Sequence, residues 1–227
     1  MTTARQVKAL VKPLLDRHPD LVLLSPTFLC LVPVHHVARV IGLRRSSSAE
    51  GFHVEWRLFE RFIPQVPWVR TLGWCDEPLW PTEGVGGHGF WQWSYPRMKD
   101  DFIEQVETVA LPLLRSLDTL EACTTFIRNH RLAQLCMGAH WRMAVDSAFG
   151  DLEAARANWE TIRSRHEADP SEPQRDQRPD RFLGLGDALA ANDRAAVARV
   201  LHLVEAEHMT GSPLAPYWEP TPFPLEA

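Results

Sequence analysis

Val7, Leu10, Val11, Leu14 and Leu15 recur at the spacing of one helical face, so the chain opens on an amphipathic helix. His18-Pro19-Asp20 ends it. The period then changes. Thr27–Val34 and Val37–Leu43 are apolar and rich in β-branched residues and read as two strands, and Ser46–Gly51 reads as a turn. Phe52, Val54, Trp56 and Leu58 alternate with His53, Glu55, Arg57 and Phe59, the period-2 pattern of a half-buried strand. Residues 27–59 are therefore expected to form an antiparallel meander of three strands. From Pro64 to Pro96 the chain is dense in proline, glycine and tryptophan. This stretch reads as a structured excursion with one short strand at Gly89–Trp93, since a disordered linker would be poor in aromatics.

Helical spacing returns at about Lys99. Phe102, Val106, Val109, Leu113 and Leu114 form one stripe, with Pro112 as a kink point. Asp118, with Glu121 three residues on, reads as a capping-box start for a helix to about Asn129. Another helix runs from about Arg131 to Phe149. Ala148–Arg156 then parallels Ala190–Ala198. In each segment a helix stops at Gly150 or Asn192, residue types that tolerate the left-handed conformation, and Asp151 or Asp193 opens the next. This predicts an antiparallel pair, Arg131–Phe149 with Asp151–His166, and a second pair turning at Asn192, the unit of tetratricopeptide-like arrays. Asp169–Asp180 reads as an exposed loop.

The expected fold class is α+β: an N-terminal helix and small antiparallel sheet, followed by an all-helical C-terminal half. The expected organisation is an α+β domain over 1–130, a helical annex of two helix pairs over 131–211 and an extended Pro-rich tail over 212–227.

Hydrophobic residues make up 45% and charged residues 23% of the 227 positions, which excludes a disordered chain. The net charge is −5, and the strongest basic cluster is Arg44-Arg45, which argues against nucleic acid and against a polybasic membrane contact. No apolar run approaches the roughly 20 residues of a membrane span. The first residues show helical spacing instead of a signal peptide, so the expected location is the cytoplasm. Cys30, Cys75, Cys123 and Cys136 contain no C-x-x-C pair. They read as reduced, unbonded thiols.

Gly84–Gly89 contains G-x-G-x-x-G, but Pro81-Thr82-Glu83 precedes it and a strand-like segment follows. A nucleotide loop needs a strand before it and a helix after it. His35, His36, His53 and His88 are candidate metal ligands, with Glu55 or Asp76 as a carboxylate. A site needs three or four such groups convergent, and His35 and His36 face opposite ways on any strand. Turn and surface histidines are the simpler reading. His202-x-x-Glu205-x-x-His208 shares one helical face but has no second copy for a di-iron site, and reads as a solvated face. No G-x-S-x-G elbow and no activated cysteine are present, so no catalytic residue and no cofactor is assigned. Nine tryptophans remain. Trp56, Trp91 and Trp93, with Arg57 and Arg70 (and Trp68 nearby), are the candidate binding surface, because tryptophan and arginine anchor interfaces. The competing reading is that these tryptophans are the core.

About the first 130 residues resemble a bacterial family, the domain of unknown function 4304. The resemblance rests on Gly51-Phe-His-Val-Glu-Trp-Arg-Leu58, Arg70-Thr-Leu-Gly73, Phe102-Ile-Glu-Gln-Val-Glu-Thr-Val-Ala-Leu-Pro-Leu-Leu114 and Ser116-Leu-Asp-Thr-Leu120. It implies an N-terminal helix paired with a small antiparallel sheet and a following helix, with the rear helices as an extension seen in some relatives. It implies no established activity and no catalytic residue. The functional expectation is a non-enzymatic protein-binding or accessory module, for example in a bacterial conflict or immunity system, with another protein as partner. The alternative is a metal-dependent hydrolase using the sheet and loop histidines. A third reading, single-stranded nucleic acid stacked on the tryptophans, lacks a basic groove. The sequence fixes no oligomeric state.

Overall fold

The computed structural model of the chain describes residues 2–46, 50–63, 75–82, 86–87, 90–130, 138–168 and 179–227. Helix α1 (Ala4–Arg17) starts in a capping box: Gln6 N donates to Thr3 Oγ1 at 3.2 Å and Thr3 N to Gln6 Oε1 at 2.8 Å, satisfying two otherwise orphan donors. Its buried residues are Val7, Leu10, Val11 and Leu14, the stripe expected from the spacing.

Among the described residues seven strands form one antiparallel sheet: β1 (Leu21–Ser25), β2 (Phe28–Leu31), β3 (Val37–Arg45), β4 (Gly51–Glu60), β5 (Cys75–Leu79), β6 (Gly86–Gly87) and β7 (Phe90–Gln92). The order is β1-β2-β3-β4-β7-β6, with β5 also paired to β4. The expected meander is β2-β3-β4, in register from Val37 opposite Glu60 to Arg45 opposite Phe52. Pattern reading missed β1, an apolar run without alternation. It also missed β5, whose two acids and Pro78 are poor strand formers; Pro78 is tolerated there because β5 pairs with β4 alone among the described strands and is an edge. β4 is covered on both faces instead of one. Phe52, Val54, Trp56 and Leu58 enter the main core, while Glu55 and Arg57 are buried opposite and form an ion pair. Cys30, Val34, Ala38, Val40, Met209 and Leu214 form a smaller cluster, with Trp218 packed against it.

Helix α2 (Met98–Gln105) runs through a π-helical segment at Val106–Ala110 into α3 (Leu111–Ser116). Leu111 N donates to Val106 O, and this widening comes just before Pro112, which has no N–H and whose ring would clash with a carbonyl four residues back. Helix α4 (Leu120–Asn129) ends where expected, but its N-cap is Thr119, not Asp118: Ala122 N donates to Thr119 Oγ1 at 3.1 Å.

The two helix pairs are α5 (Ala139–Phe149) with α6 (Leu152–Ala168), and α7 (Pro179–Ala190) with α8 (Arg194–Met209). The residues before Gly138 that were expected to open α5 lie outside the described set, as does most of the Asp169–Asp180 loop; Pro179 and Asp180 already belong to α7. The two turns use one device. Gly150 has φ 79° and Asn192 φ 53°. Asp151 N donates to Asp146 O at 2.9 Å and Asp193 N to Ala188 O at 3.0 Å, the long bond of a Schellman turn. Asp151 and Asp193 then accept from Ala154 N and Ala196 N at 3.1 and 2.8 Å. The pairs pack on one another through α6 against α7 and α5 against α8. At Gly186 a Cβ would sit 2.3 Å from the Trp159 ring, so only glycine allows this approach of α7 to α6. Gly186→Ala is expected to lower stability by about 2 kcal/mol, the range of overpacked cores. Urea titration of the variant checks it, and an unchanged midpoint would show that the ring moves aside freely.

The tail is not an extended appendage. It forms 3-10 turns at Ala215–Tyr217 and Pro224–Glu226 and inserts Phe223 and Leu225 into the main core. It is tied to the β2–β3 connection at Val34, whose N donates to Tyr217 O and whose O accepts from Glu219 N, each at 2.9 Å.

Candidate functional site

The expected tryptophan surface is mostly interior. Trp91 is fully buried, with its Nε1 donating to Asp101 Oδ2 at 2.8 Å, and Trp56 and Arg57 are 3% exposed. Trp93 is half-buried and donates to Thr2 Oγ1 at 2.9 Å. Arg70 and Trp68 lie outside the described residues. Trp91 packs against Phe102 of α2, and Trp56 against Phe126 of α4 and His130; this burial removes both as a contact surface.

The candidate metal histidines do not converge. His36 precedes Val37, which faces Glu60 at one end of the β3–β4 ladder, whereas His53 faces Arg44 near the other. Seven residues at about 3.3 Å each separate these levels by roughly 23 Å. His53 is exposed and stands beside Phe90. His35 faces the tail, its Nδ1 donating to Glu219 O at 2.9 Å. His88 lies outside the described residues. Among the described residues no group of three or more His, Cys, Asp or Glu is placed to hold a metal ion.

What the fold does assemble is a cleft of about 700 Å³ where the β2–β3 connection, the start of α4 and the tail meet. Val37, Leu117, Leu120 and Phe223 give it an apolar floor, and the exposed carboxylates Asp118, Glu121 and Glu226 stand around it. Arg39, 8% exposed, forms part of the wall, its guanidinium donating to Pro33 O at 3.2 Å and Leu114 O at 3.4 Å. Cys123 also lines the cleft, but burial pushes its thiol up to about 12 and Sγ donates to Leu117 O. Such a thiol is inert. Cys30 is likewise buried and raised to about 12, and both are free.

His36 is the polar centre of this cleft. Its Nδ1 lies 3.2 and 3.3 Å from the two oxygens of Glu205, and its Nε2 lies 3.1 Å from Thr221 Oγ1 and 3.4 Å from Pro222 O. The ring stacks on Phe223 at 4.0 Å between centroids. Glu205 is fully buried, which corrects its reading as part of a solvated helical face. Leu201, one turn before it, and Met209, one turn after, are both buried, so Glu205 stands within the apolar stripe of α8. That spacing is visible in the sequence and is the signal pattern reading passed over. Of its motif partners, His202 reaches Glu205 Oε2 only at 3.9 Å from Nδ1 and pairs more closely through Nε2 with Glu226 Oε2 at 2.8 Å, while His208 Nδ1 donates to Arg61 O at 2.6 Å. Thr221, between two prolines, carries no local signal at all.

Comparison of the chain with protein-family models, with curated proteins and with solved structures gives no match.

Proposed function

We propose that the chain is a protein-binding module that receives an extended, basic segment of a partner in the cleft between α4, the β2–β3 connection and the tail. One observation carries this reading: a cleft of ligand size whose apolar floor is ringed by three exposed carboxylates, Asp118, Glu121 and Glu226. An apolar floor takes up side-chain area, and the acidic ring favours lysine or arginine at the edges and steers a basic partner to the site. The net charge of −5 acts in the same direction at longer range. The stacked helix pairs support a scaffold role, since such units present extended surfaces. Pairing of α1 with an antiparallel sheet supports membership of the domain of unknown function 4304 as part of the same proposal. No described helix is long and apolar enough to cross a membrane, and the free thiols of Cys30 and Cys123 suit a reducing cytoplasm.

The test is a library of fluorescein-labelled octapeptides containing lysine or arginine, read by fluorescence polarisation at low and at moderate salt. Saturable binding is expected, weakened at least about tenfold in the double variant Asp118→Lys, Glu121→Lys, in line with charge reversal at an interface. Both positions are exposed, so the variant keeps its fold. Binding by no basic peptide, or binding indifferent to the reversal, would refute the reading.

A further inference from the structure

We infer that Glu205, His36 and Thr221 form a proton relay for acyl transfer, with Thr221 as nucleophile toward an ester or amide carbonyl held in the cleft. The inference rests on the cleft being the ligand site and adds a reaction to it. The order of groups is carboxylate, imidazole, hydroxyl, with contacts of 3.2 Å from Glu205 Oε1 to Nδ1 and 3.1 Å from Nε2 to Thr221 Oγ1. A carboxylate only accepts, so it holds the ring proton on Nδ1, and Nε2 then accepts from the Thr221 hydroxyl at 3.1 Å, a shorter contact than its 3.4 Å approach to Pro222 O. That is the tautomer a nucleophile's base requires. His36 and Thr221 both line the cleft.

Anchoring the tail does not require this arrangement. The tail is tied to Val34 by two backbone bonds, to His35 through Glu219 O, and to Arg194, whose Nε donates to Leu225 O at 2.6 Å. Burying a carboxylate at Glu205 among Leu201, Val204 and Met209 costs several kcal/mol of desolvation, an expense that a leucine there would avoid. The same cleft is lined by Leu120 and Glu121 at the start of the ten-residue helix α4. Amides of a first helical turn have no intrahelical partner and suit a developing oxyanion.

The step balances within the named groups. Thr221 Oγ forms a bond to the carbonyl carbon as its proton passes to His36 Nε2, and the carbonyl π pair moves onto oxygen. Collapse of that oxyanion breaks the bond to the leaving group, which takes the proton from Nε2. Water then attacks the acyl-threonine, its proton passing by the same route, and the free acid leaves with the Thr221 hydroxyl restored. Glu205 touches no substrate and acts as a positioning residue that stabilises the imidazolium.

The experiment treats the full chain with p-nitrophenyl butyrate, then applies intact-mass analysis and peptide mapping, with the octapeptide binding assay run in parallel. One butyryl group per chain on Thr221 is expected when the reaction is quenched with acid before water releases it. It should be lost in Thr221→Ala, retained in Thr221→Ser, and formed about 10²–10⁴-fold more slowly in Glu205→Gln, the usual weight of general-base help. Peptide affinity should be unchanged in Glu205→Gln, whose side chain does not line the cleft, a split that a merely structural effect of Glu205 would not give. No adduct, an adduct on another residue, or one that persists in Thr221→Ala overturns the relay. Peptide binding that survives such a failure leaves the binding reading standing; loss of both ends both.

Discussion

The fold is expected to lose about 3 kcal/mol as pH rises from about 4.5 to above 7, because of one carboxyl. Glu60, at the end of β4, is 2% exposed and accepts a hydrogen bond from Trp141 Nε1 at 2.9 Å. Its Oε2 is buried without a partner among the described residues. Burial, the largest influence, pushes the carboxyl from an ordinary 4.5 to about 7, against the smaller opposing effect of the Trp141 donor. Below 4.5 the folded and unfolded chains both hold the proton, and the full stability is present. Between 4.5 and 7 the unfolded chain releases it and the folded chain keeps it, so each step up in pH favours unfolding. Above 7 both are ionised and the cost of burying the charge is complete. At about 1.4 kcal/mol per pKa the loss comes to roughly 3 kcal/mol. Asp20, whose carboxyl is lowered mainly by its hydrogen bond from Arg115, acts oppositely. Its contribution is present above 3.8 and is lost on further acidification. Urea unfolding at a series of pH values should therefore show greatest stability on the acid side of neutrality, and Glu60→Gln should remove the slope between pH 5 and 8. A variant with the same slope as the parent would clear Glu60 of the effect.

Phe223→Ala is expected to cost about 3–5 kcal/mol, the range for removing a fully buried aromatic ring. Phe223 is 1% exposed, stacks on His36 and meets Phe62 edge-on at 5.3 Å. Its loss would leave the Glu205–His36 pair open to water on one side and loosen the strap that forms one wall of the cleft. Phe223→Leu keeps most of the volume and should lose much less. Urea titration measures both effects. Native-state hydrogen exchange should show faster exchange at Glu219 N and Phe223 N, which are held by Val34 O and Glu226 Oε2. A loss under 1 kcal/mol would mean that the tail rests on the molecule without stabilising it.

These two residues mark where sequence reading stopped. Local chemistry determined the elements that depend on neighbours in the chain. The α1 stripe, the β3–β4 alternation and the matched Gly150-Asp151 and Asn192-Asp193 turns each encode their conformation within a few residues. Hydrophobic period, left-handed tolerance and N-capping all act at that range. Cys30 and Cys123, read as unbonded, are free.

Contacts far apart in sequence were decided by the tertiary structure alone. Whether Trp56 and Trp91 formed a surface or a core depended on which helices covered the sheet: α4 covers Trp56 through Phe126, and α2 covers Trp91 through Phe102. The Pro-rich composition of residues 212–227 suited an extended tail equally well until Phe223 and Leu225 found room between α5 and α8. The fold joins His36 to Glu205 and Thr221, 169 and 185 residues further along the chain. No periodicity reaches that far. Glu205 showed one trace, a carboxylate within the apolar stripe of α8, since a helical face records what it buries but not what it meets. Thr221 showed none, because the hydroxyl gains its meaning only from the imidazole that the folded chain sets 3.1 Å away.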